Sequence, residues 1–418
     1  MSKEQTALHI DINDYTLLEK QLQLRQLQVN SLLEVTQAIN NNLSSDKLFR
    51  IYEFILRAQI SVKKLVVYIK EDEDYYPICK YGLDKSYVDN ELLEVAMQYK
   101  KLTFIDDIDA PDPLSDFDIL VPVYHKEHPI AFAFLQKPMV NKFETLDEKI
   151  GFIQTITNII VVAIENKRLF KRQLEQEKLK RELELAAQVQ SLLIPKNLPD
   201  NELMEMAAVY LPHHDIGGDY YDYIELNEEE IIFCIADISG KGIAAAILMA
   251  NFQAILRALV KKLSTFDDFV KSLNETVTEI TKGEKFITLF VAKYNVKTRD
   301  LTYINAGHNP PVLLENGNIL FLDIGCTILG MFEEMPFINK NTITLSPDTI
   351  LINYTDGLTD LENDEGESFS LEKITEFISE NSHLSMKNFN QQLLEEIMRF
   401  KGDRAYIDDI SILSCRFK

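Results

Sequence analysis

The sequence predicts an α+β protein of two folded domains joined by a long helix, and three observations carry that reading. Short β-rich runs cluster between Lys63 and Lys137, neither Gly nor Pro occurs from Phe152 until Pro195, and apolar runs ending in aspartates follow residue 200. With 418 residues, at about 150 residues per domain, two or three separate cores are expected. An apolar share of 46% with 26% charged residues, and only 14 Gly and 13 Pro, excludes a disordered, collagenous or low-complexity chain.

The charge balance narrows the partners. Lys and Arg number 43 against 66 Asp and Glu, and a formal charge of -23 repels phosphodiester backbones and anionic lipid alike. No nucleic acid and no membrane is therefore expected as a partner. Cys79, Cys234, Cys326 and Cys415 lack CxxC spacing, which fits neither a zinc site nor a disulfide framework and suits buried thiols in a reducing compartment. No apolar run approaches the roughly 18 residues of a membrane span, and the start MSKEQTALHIDIND lacks the layout of a signal peptide. A cytoplasmic protein is expected.

Residues 1–30 read as an N-terminal helical segment that continues toward Asn40. Between Asp14 and Asn40 there is no Gly or Pro, and Leu18, Leu22, Val29, Leu32 and Ile39 fall at heptad-like steps interrupted by Arg25 and Thr36. That pattern suits a helix packed on its own domain or one paired with a second subunit. Residues 31–165 read as a small sheet bounded by helices, with His125-Lys126-Glu127-His128 as a hairpin turn and both histidines as solvated surface. Residues 166–199 read as a helical connector with apolar ribs Leu174, Leu179, Leu183, Val189 and Leu193, ending near Pro195 and Pro199.

The chemistry is expected in residues 200–418. Around the turn near Asn227-Glu228-Glu229, Asp219 lies nine residues before Glu228 and Asp237 nine after it, so a regular hairpin sets the two carboxylates opposite each other. Like charges in that position are destabilising unless a cation sits between them. Asp356 ends the run TILINYTD, and Asp408 or Asp409 begins DDISILSCRF, so a second pair can meet at the same sheet edge. Converging carboxylates with little basic compensation call for hard divalent cations, Mn²⁺ or Mg²⁺.

Neighbouring polar residues read as bystanders. Asp222 is three residues from Asp219, faces the other side of the sheet, and is expected at the surface or in a supporting role. His213 and His214 are read as structural, and His308 in NAGHNPP as part of an ordinary turn. Gly240 and Gly242 in DISGKG allow a sharp turn and close backbone approach; the phrase lacks the phosphate-loop pattern GxxxxGK[ST].

Two resemblances extend this reading. ILVPVYHKEHPIAFAFLQK with the following FETLDEKIGFIQTITNIIVVAIENKRLF looks like the last hairpin and closing helix of a GAF domain, which implies a sensory domain with a possible small-molecule ligand. GGDYYDY, IADISGKGIAAAILMA, FITLFVAKYN, LTYINAGHNPPVLL, TILG, INYTDGLTD and YIDDISIL resemble the SpoIIE-like, RsbU-like branch of the metal-dependent type-2C (PPM) serine/threonine protein phosphatases. The resemblance implies two antiparallel sheets stacked as a sandwich with helices outside, and two metal ions at one sheet edge. It implies that Asp237 bridges the metals, that Asp219 and the Ile238 carbonyl are further ligands, and that Asp356 and Asp408, rather than Asp409, complete the set. No arginine lies near GGDYYDY to grip the phosphate, as one does in eukaryotic type-2C relatives. The implied activity is hydrolysis of phosphoserine or phosphothreonine on a protein, an anti-sigma-factor antagonist, by a homodimer in bacterial signalling. The competing reading is a catalytically silent module of the same fold that sequesters a signalling partner; the full acidic set argues against it.

Overall fold

Helix α1, Ile12–Asn40, runs through residue 30 without a break, so the expected boundary there falls inside a helix. The computed structural model describes residues 12–72, 74–83, 90–107, 116–213, 216–262 and 265–418. The chain divides into two compact units, 1–177 and 178–418.

In the first unit α1 is followed by α2 (Ser45–Phe54), β1 (Leu65–Glu71), β2 (Asp74–Tyr81), α3 (Asn90–Ala96), β3 (Thr103–Phe104), β4 (Ile119–His125), β5 (His128–Leu135) and the start of α4 (Leu146–Gln190). The five strands form an antiparallel sheet in the order β2-β1-β5-β4-β3. Leu65, Val67 and Ile69 of β1 face a core shared with α1, α2 and α4, while Val66 and Tyr68 join a second cluster with Leu93 and Ala96 of α3. Both faces are covered, which is why β1 is a continuous apolar run instead of an alternating one. The β4–β5 hairpin pairs His125 with His128, and both histidines are exposed, as expected. Along α1, Val35 and Ala38 are buried, but the heptad positions Leu18, Leu22 and Val29 are exposed.

The second unit begins with the end of α4 and continues through β6 (Met204–Leu211), β7 (Tyr220–Glu225), β8 (Glu230–Ile238), α5 (Gly242–Val260), α6 (Phe266–Thr281), β9 (Ile287–Asn295) and β10 (Asp300–Ala306). Then follow β11 (Val312–Glu315), β12 (Asn318–Phe321), β13 (Gly325–Cys326), β14 (Asn341–Thr344), β15 (Thr349–Tyr354), α7 (Asp356–Thr359), α8 (Leu371–Asn381), α9 (Met386–Lys401) and β16 (Ile410–Phe417). One sheet has the order β13-β10-β9-β8-β7, with β14 also on β10; the other has the order β12-β11-β15-β16-β6. Pairing is antiparallel throughout these ladders except where the two residues of β13 run parallel to β10.

The two sheets pack face to face, and Phe417 of the second sheet sets its ring 4.5 Å from that of Tyr294 and 6.3 Å from that of Phe233 in the first. Outside the first sheet lie α5 and α6, with Phe252 meeting Tyr220 edge-on at 6.1 Å. Outside the second lie α8 and α9, whose Ile374, Ile378, Phe389 and Leu393 close a separate cluster. This is the expected sandwich. Helix α5 corrects one expectation, because by length and composition it is apolar enough to cross a membrane, with a mean hydropathy of 1.8. Its Met249, Phe252 and Leu256 are buried in the core of the unit, while Ile243 and Ile247 are exposed. All four cysteines are free and buried.

Candidate active site

The β7–β8 hairpin turns at Asn227, whose side-chain oxygen accepts the amides of Glu229 and Glu230, and the ladder pairs Tyr220 with Ala236. One step further along the same register puts Asp219 across from Asp237, as the spacing about Glu228 predicts. Asp219 is 1% exposed, and its Oδ2 accepts the Thr355 hydroxyl at 2.8 Å. That hydroxyl in turn accepts the Ser411 amide at 2.8 Å, and the Thr355 amide donates to the Ser411 carbonyl at 3.0 Å. The ends of β15 and β16 therefore hold the first carboxylate in place through one threonine.

The second pair arrives from those same strand ends. Asp356 opens α7 directly after Thr355, and Gly357 packs so closely on the backbone of Asp409 that any side chain there would collide with its carbonyl. Asp408 precedes β16 and lies 2.8 Å from the Lys241 ammonium, which also donates to the Ile407 carbonyl at 2.8 Å. Burial pushes the Asp237 carboxyl up to about 7, with the charges of Asp356, Asp408 and Asp409 adding to the shift and Lys241 opposing it. Burial also raises Asp219 well above its ordinary value, helped by Asp237 and offset by the hydrogen bond from Thr355. Asp356 is raised for the same reasons, burial first and then Asp360 and Asp408. The four aspartates singled out in the sequence thus share one electrostatic environment at one edge of the sandwich.

Asp409 has a different task from Asp408. Its Oδ1 accepts the His213 amide at 2.7 Å and its Oδ2 the Gly218 amide at 2.6 Å, so it pins the segment that delivers Asp219. Gly217 lies against Asp409 and the Tyr210 hydroxyl with no room for a Cβ, and Gln190 at the end of α4 clasps it from the other side. The Gln190 amide donates to the Gly217 carbonyl at 2.6 Å and accepts the Gly217 amide at 3.3 Å. A Cβ on Gly218 would lie 2.9 Å from the carbonyl oxygen of Ile238, so that oxygen sits beside the chain leading into Asp219.

Two bystanders read differently in the structure. Asp222 does face away from Asp219, but it is fully buried instead of at the surface, held by the Tyr220 hydroxyl and by Arg257 through Nε at 2.8 Å and a terminal nitrogen at 2.7 Å. The sheet face opposite the site is covered by α5, and a carboxylate there requires a cation. His308 lies in a turn, yet it is 5% exposed, and its Nδ1 shares a hydrogen bond of 2.8 Å with Thr288, the residue paired with Asp237 across β8–β9. Burial brings its imidazole down to about 4, against a backbone hydrogen bond to Tyr354, so it is neutral. His213 serves through its backbone amide, and His214 lies outside the described residues.

The donor set consists of carboxylates and carbonyls, the hard oxygen ligands that suit Mg²⁺ or Mn²⁺. Among the described residues no three His, Cys, Asp or Glu side chains are drawn together closely enough to hold a metal ion as they stand. The Lys241 ammonium pairs with Asp408 at 2.8 Å.

Residues 227–418 match the stage II sporulation protein E (SpoIIE) family. The phosphoserine phosphatase RsbU of Bacillus subtilis is 29% identical over 247 residues, covering 58% of this chain and 72% of that protein. The phosphoserine phosphatase RsbP of the same organism is 27% identical over 190 residues, covering 43% of this chain and 46% of its own length. The SiaA-PP2C domain of Pseudomonas aeruginosa superposes with a TM-score of 0.53 at 17% identity, covering 58% of this chain and 99% of that domain. The second unit has the PP2C fold and is similar to the SpoIIE family over residues 227–418.

Proposed function

We propose that the chain is a metal-dependent phosphoprotein phosphatase of bacterial signalling, acting on phosphoserine or phosphothreonine under the control of its N-terminal unit. The observation that carries the reading is the convergence of Asp219, Asp237, Asp356 and Asp408 on one sheet edge, in a domain whose relatives RsbU and RsbP are named phosphoserine phosphatases. The side chains of these four aspartates and the carbonyl of Ile238 would hold two divalent cations, Mn²⁺ or Mg²⁺. When bound, such cations supply positive charge to the phosphoryl oxygens and make a coordinated water more acidic at neutral pH. The chain's own residues orient that donor set: Thr355 fixes Asp219, Asp409 and Gln190 hold the glycines before it, and Gly357 lets Asp356 approach Asp408.

The substrate we assign is an anti-sigma-factor antagonist carrying phosphoserine or phosphothreonine. The N-terminal unit we read as a GAF-like sensor for a small molecule, supported by its antiparallel sheet enclosed by helices. A homodimer is supported by the exposed apolar positions Leu18, Leu22 and Val29 on α1, and Leu174, Leu179, Leu185 and Val189 on α4. The test is phosphate release from a phosphoserine protein with Mn²⁺, with Mg²⁺ and after chelation. Release that needs the cation and stops on chelation is expected. Release untouched by chelation would refute the metal assignment, and tight phosphoprotein binding without any release would favour the silent module.

A further inference from the structure

With two divalent cations offsetting the four carboxylates, a phosphomonoester still brings about two negative charges to this edge, which a cation on the chain beside the metals would help to balance. The basic side chain that touches the acidic edge, Lys241, is engaged by Asp408. Elsewhere in the unit Arg257 pairs with Asp222 on the opposite sheet face, and Arg404 with Glu362. Buried His308 is neutral. Lys285 differs, because it is exposed and has no acidic partner among the described residues.

The backbone of Lys285 is fixed against the catalytic loop. Its neighbour Phe286 accepts the Ser239 amide at 3.0 Å and donates its own amide to the Ser239 hydroxyl at 2.9 Å, two residues from Asp237. On the other side, Ile287 and Leu329 exchange two hydrogen bonds of 3.0 Å, and a Cβ on Gly330 would lie 2.8 Å from the Lys285 carbonyl. From that base the side chain lies over Gly240, where a Cβ would sit 2.9 Å from its Nζ and 3.8 Å from its Cε. Gly240 has a φ of +108°, so the turn demands glycine, and the missing side chain leaves the space in which the ammonium rests. The carbonyl of Gly240 lies 3.7 Å from the Cβ position of Gly218, the residue before Asp219. Lys285 thus lies over the loop that follows Asp237, fixed at its backbone and with its side chain exposed.

We infer that Lys285 binds the phosphoryl oxygens of the substrate, a specificity-determining contact for phosphomonoesters at this edge. The inference rests on the phosphatase reading above and names the group that meets the phosphate. An ammonium acts here as a point charge, so its contribution lies in binding more than in turnover. Charge-assisted contacts at a partly exposed site support a change of about 3- to 10-fold.

The test compares wild type with Lys285→Ala and Lys285→Arg in the full chain, on a phosphoserine protein and on p-nitrophenyl phosphate, and measures the thermal shift caused by inorganic phosphate. Lys285→Ala is expected to raise KM for both substrates and the inhibition constant of inorganic phosphate by a similar 3- to 10-fold, with kcat within about 2-fold. Lys285→Arg is expected to restore both, and Lys271→Ala on α6 to change neither. A KM effect confined to the phosphoprotein would overturn the inference in favour of a contact to acidic residues of the partner. Unchanged KM and inhibition constant, or a shifted Mn²⁺ requirement, would overturn it as well. Were wild type to hydrolyse neither substrate, the phosphatase reading would fall, while the phosphate-induced thermal shift would still report whether Lys285 binds the anion.

Discussion

Replacing Asp237 by Asn is expected to remove activity and to stabilise the chelated protein, a combination that a structural carboxylate does not give. Its carboxyl is raised from 3.8 to about 7 by burial and then by Asp356, Asp408 and Asp409, so the folded state without cations holds this charge at a cost. At 1.36 kcal/mol per pH unit, that difference sets a ceiling of about 4 kcal/mol. Solvent at the partly exposed edge and relaxation of the neighbours reduce it, and about 1–2 kcal/mol is expected. The sign follows from protons: the folded state keeps its proton to higher pH than the unfolded state, so this group's contribution is complete below pH 3.8 and is lost as pH rises through 7. The gain of Asp237→Asn over wild type should therefore be small near pH 4 and largest near pH 8. Urea unfolding with chelator at both values measures it, beside phosphate release at saturating Mn²⁺. A variant less stable than wild type at pH 8, or one with near-normal turnover, would refute the argument.

Three further outcomes are expected. Arg257→Ala leaves Asp222 buried without its cation and should cost about 2–4 kcal/mol in urea unfolding, whereas the double variant Asp222→Asn with Arg257→Met should recover most of the loss. His308 is held near 4 against 6.5 in the unfolded chain, so stability present above pH 6.5 is lost as pH falls toward 4; His308→Gln should flatten that acid limb, by at most about 3 kcal/mol, between unfolding curves at pH 7 and pH 4.5. Inserting two residues near Glu177 rotates the downstream part of α4 by about 200°, and four by about 400°, so a connector that transmits the sensor's state predicts a larger change in basal phosphate release for the two-residue variant.

What could be anticipated from the sequence was local or symmetric. The pairing of Asp219 with Asp237 follows from one turn and a two-residue repeat, because in a hairpin the turn fixes every opposite pair. The separate roles of Asp408 and Asp409 could not be read in that way: periodicity only says that they face apart, and the choice is made by the amides of His213 and Gly218, nearly two hundred residues earlier. Asp222 shows the same limit. Its facing was predicted correctly and its burial was not, because the Arg257 that permits burial comes from a helix 35 residues on. For His308 the turn was legible, but the Thr288 that accompanies its burial is a residue of another strand.

These long-range ties share one property, which bears on control. The carboxylate most deeply buried at the edge, Asp219, is reached through two glycines whose amides are both taken by distant side chains: Gly218 by Asp409 and, before it, Gly217 by Gln190. Glycine without such ties samples many conformations, so the position of Asp219 depends on partners outside its strand. Asp409 belongs to the edge itself and stays with β16. Gln190 is the last residue of α4, a helix of 45 residues, so the grip on Gly217 is set by where that helix ends. Removing those two bonds, as in Gln190→Ala, is therefore expected to lower phosphate release while leaving the urea midpoint nearly unchanged.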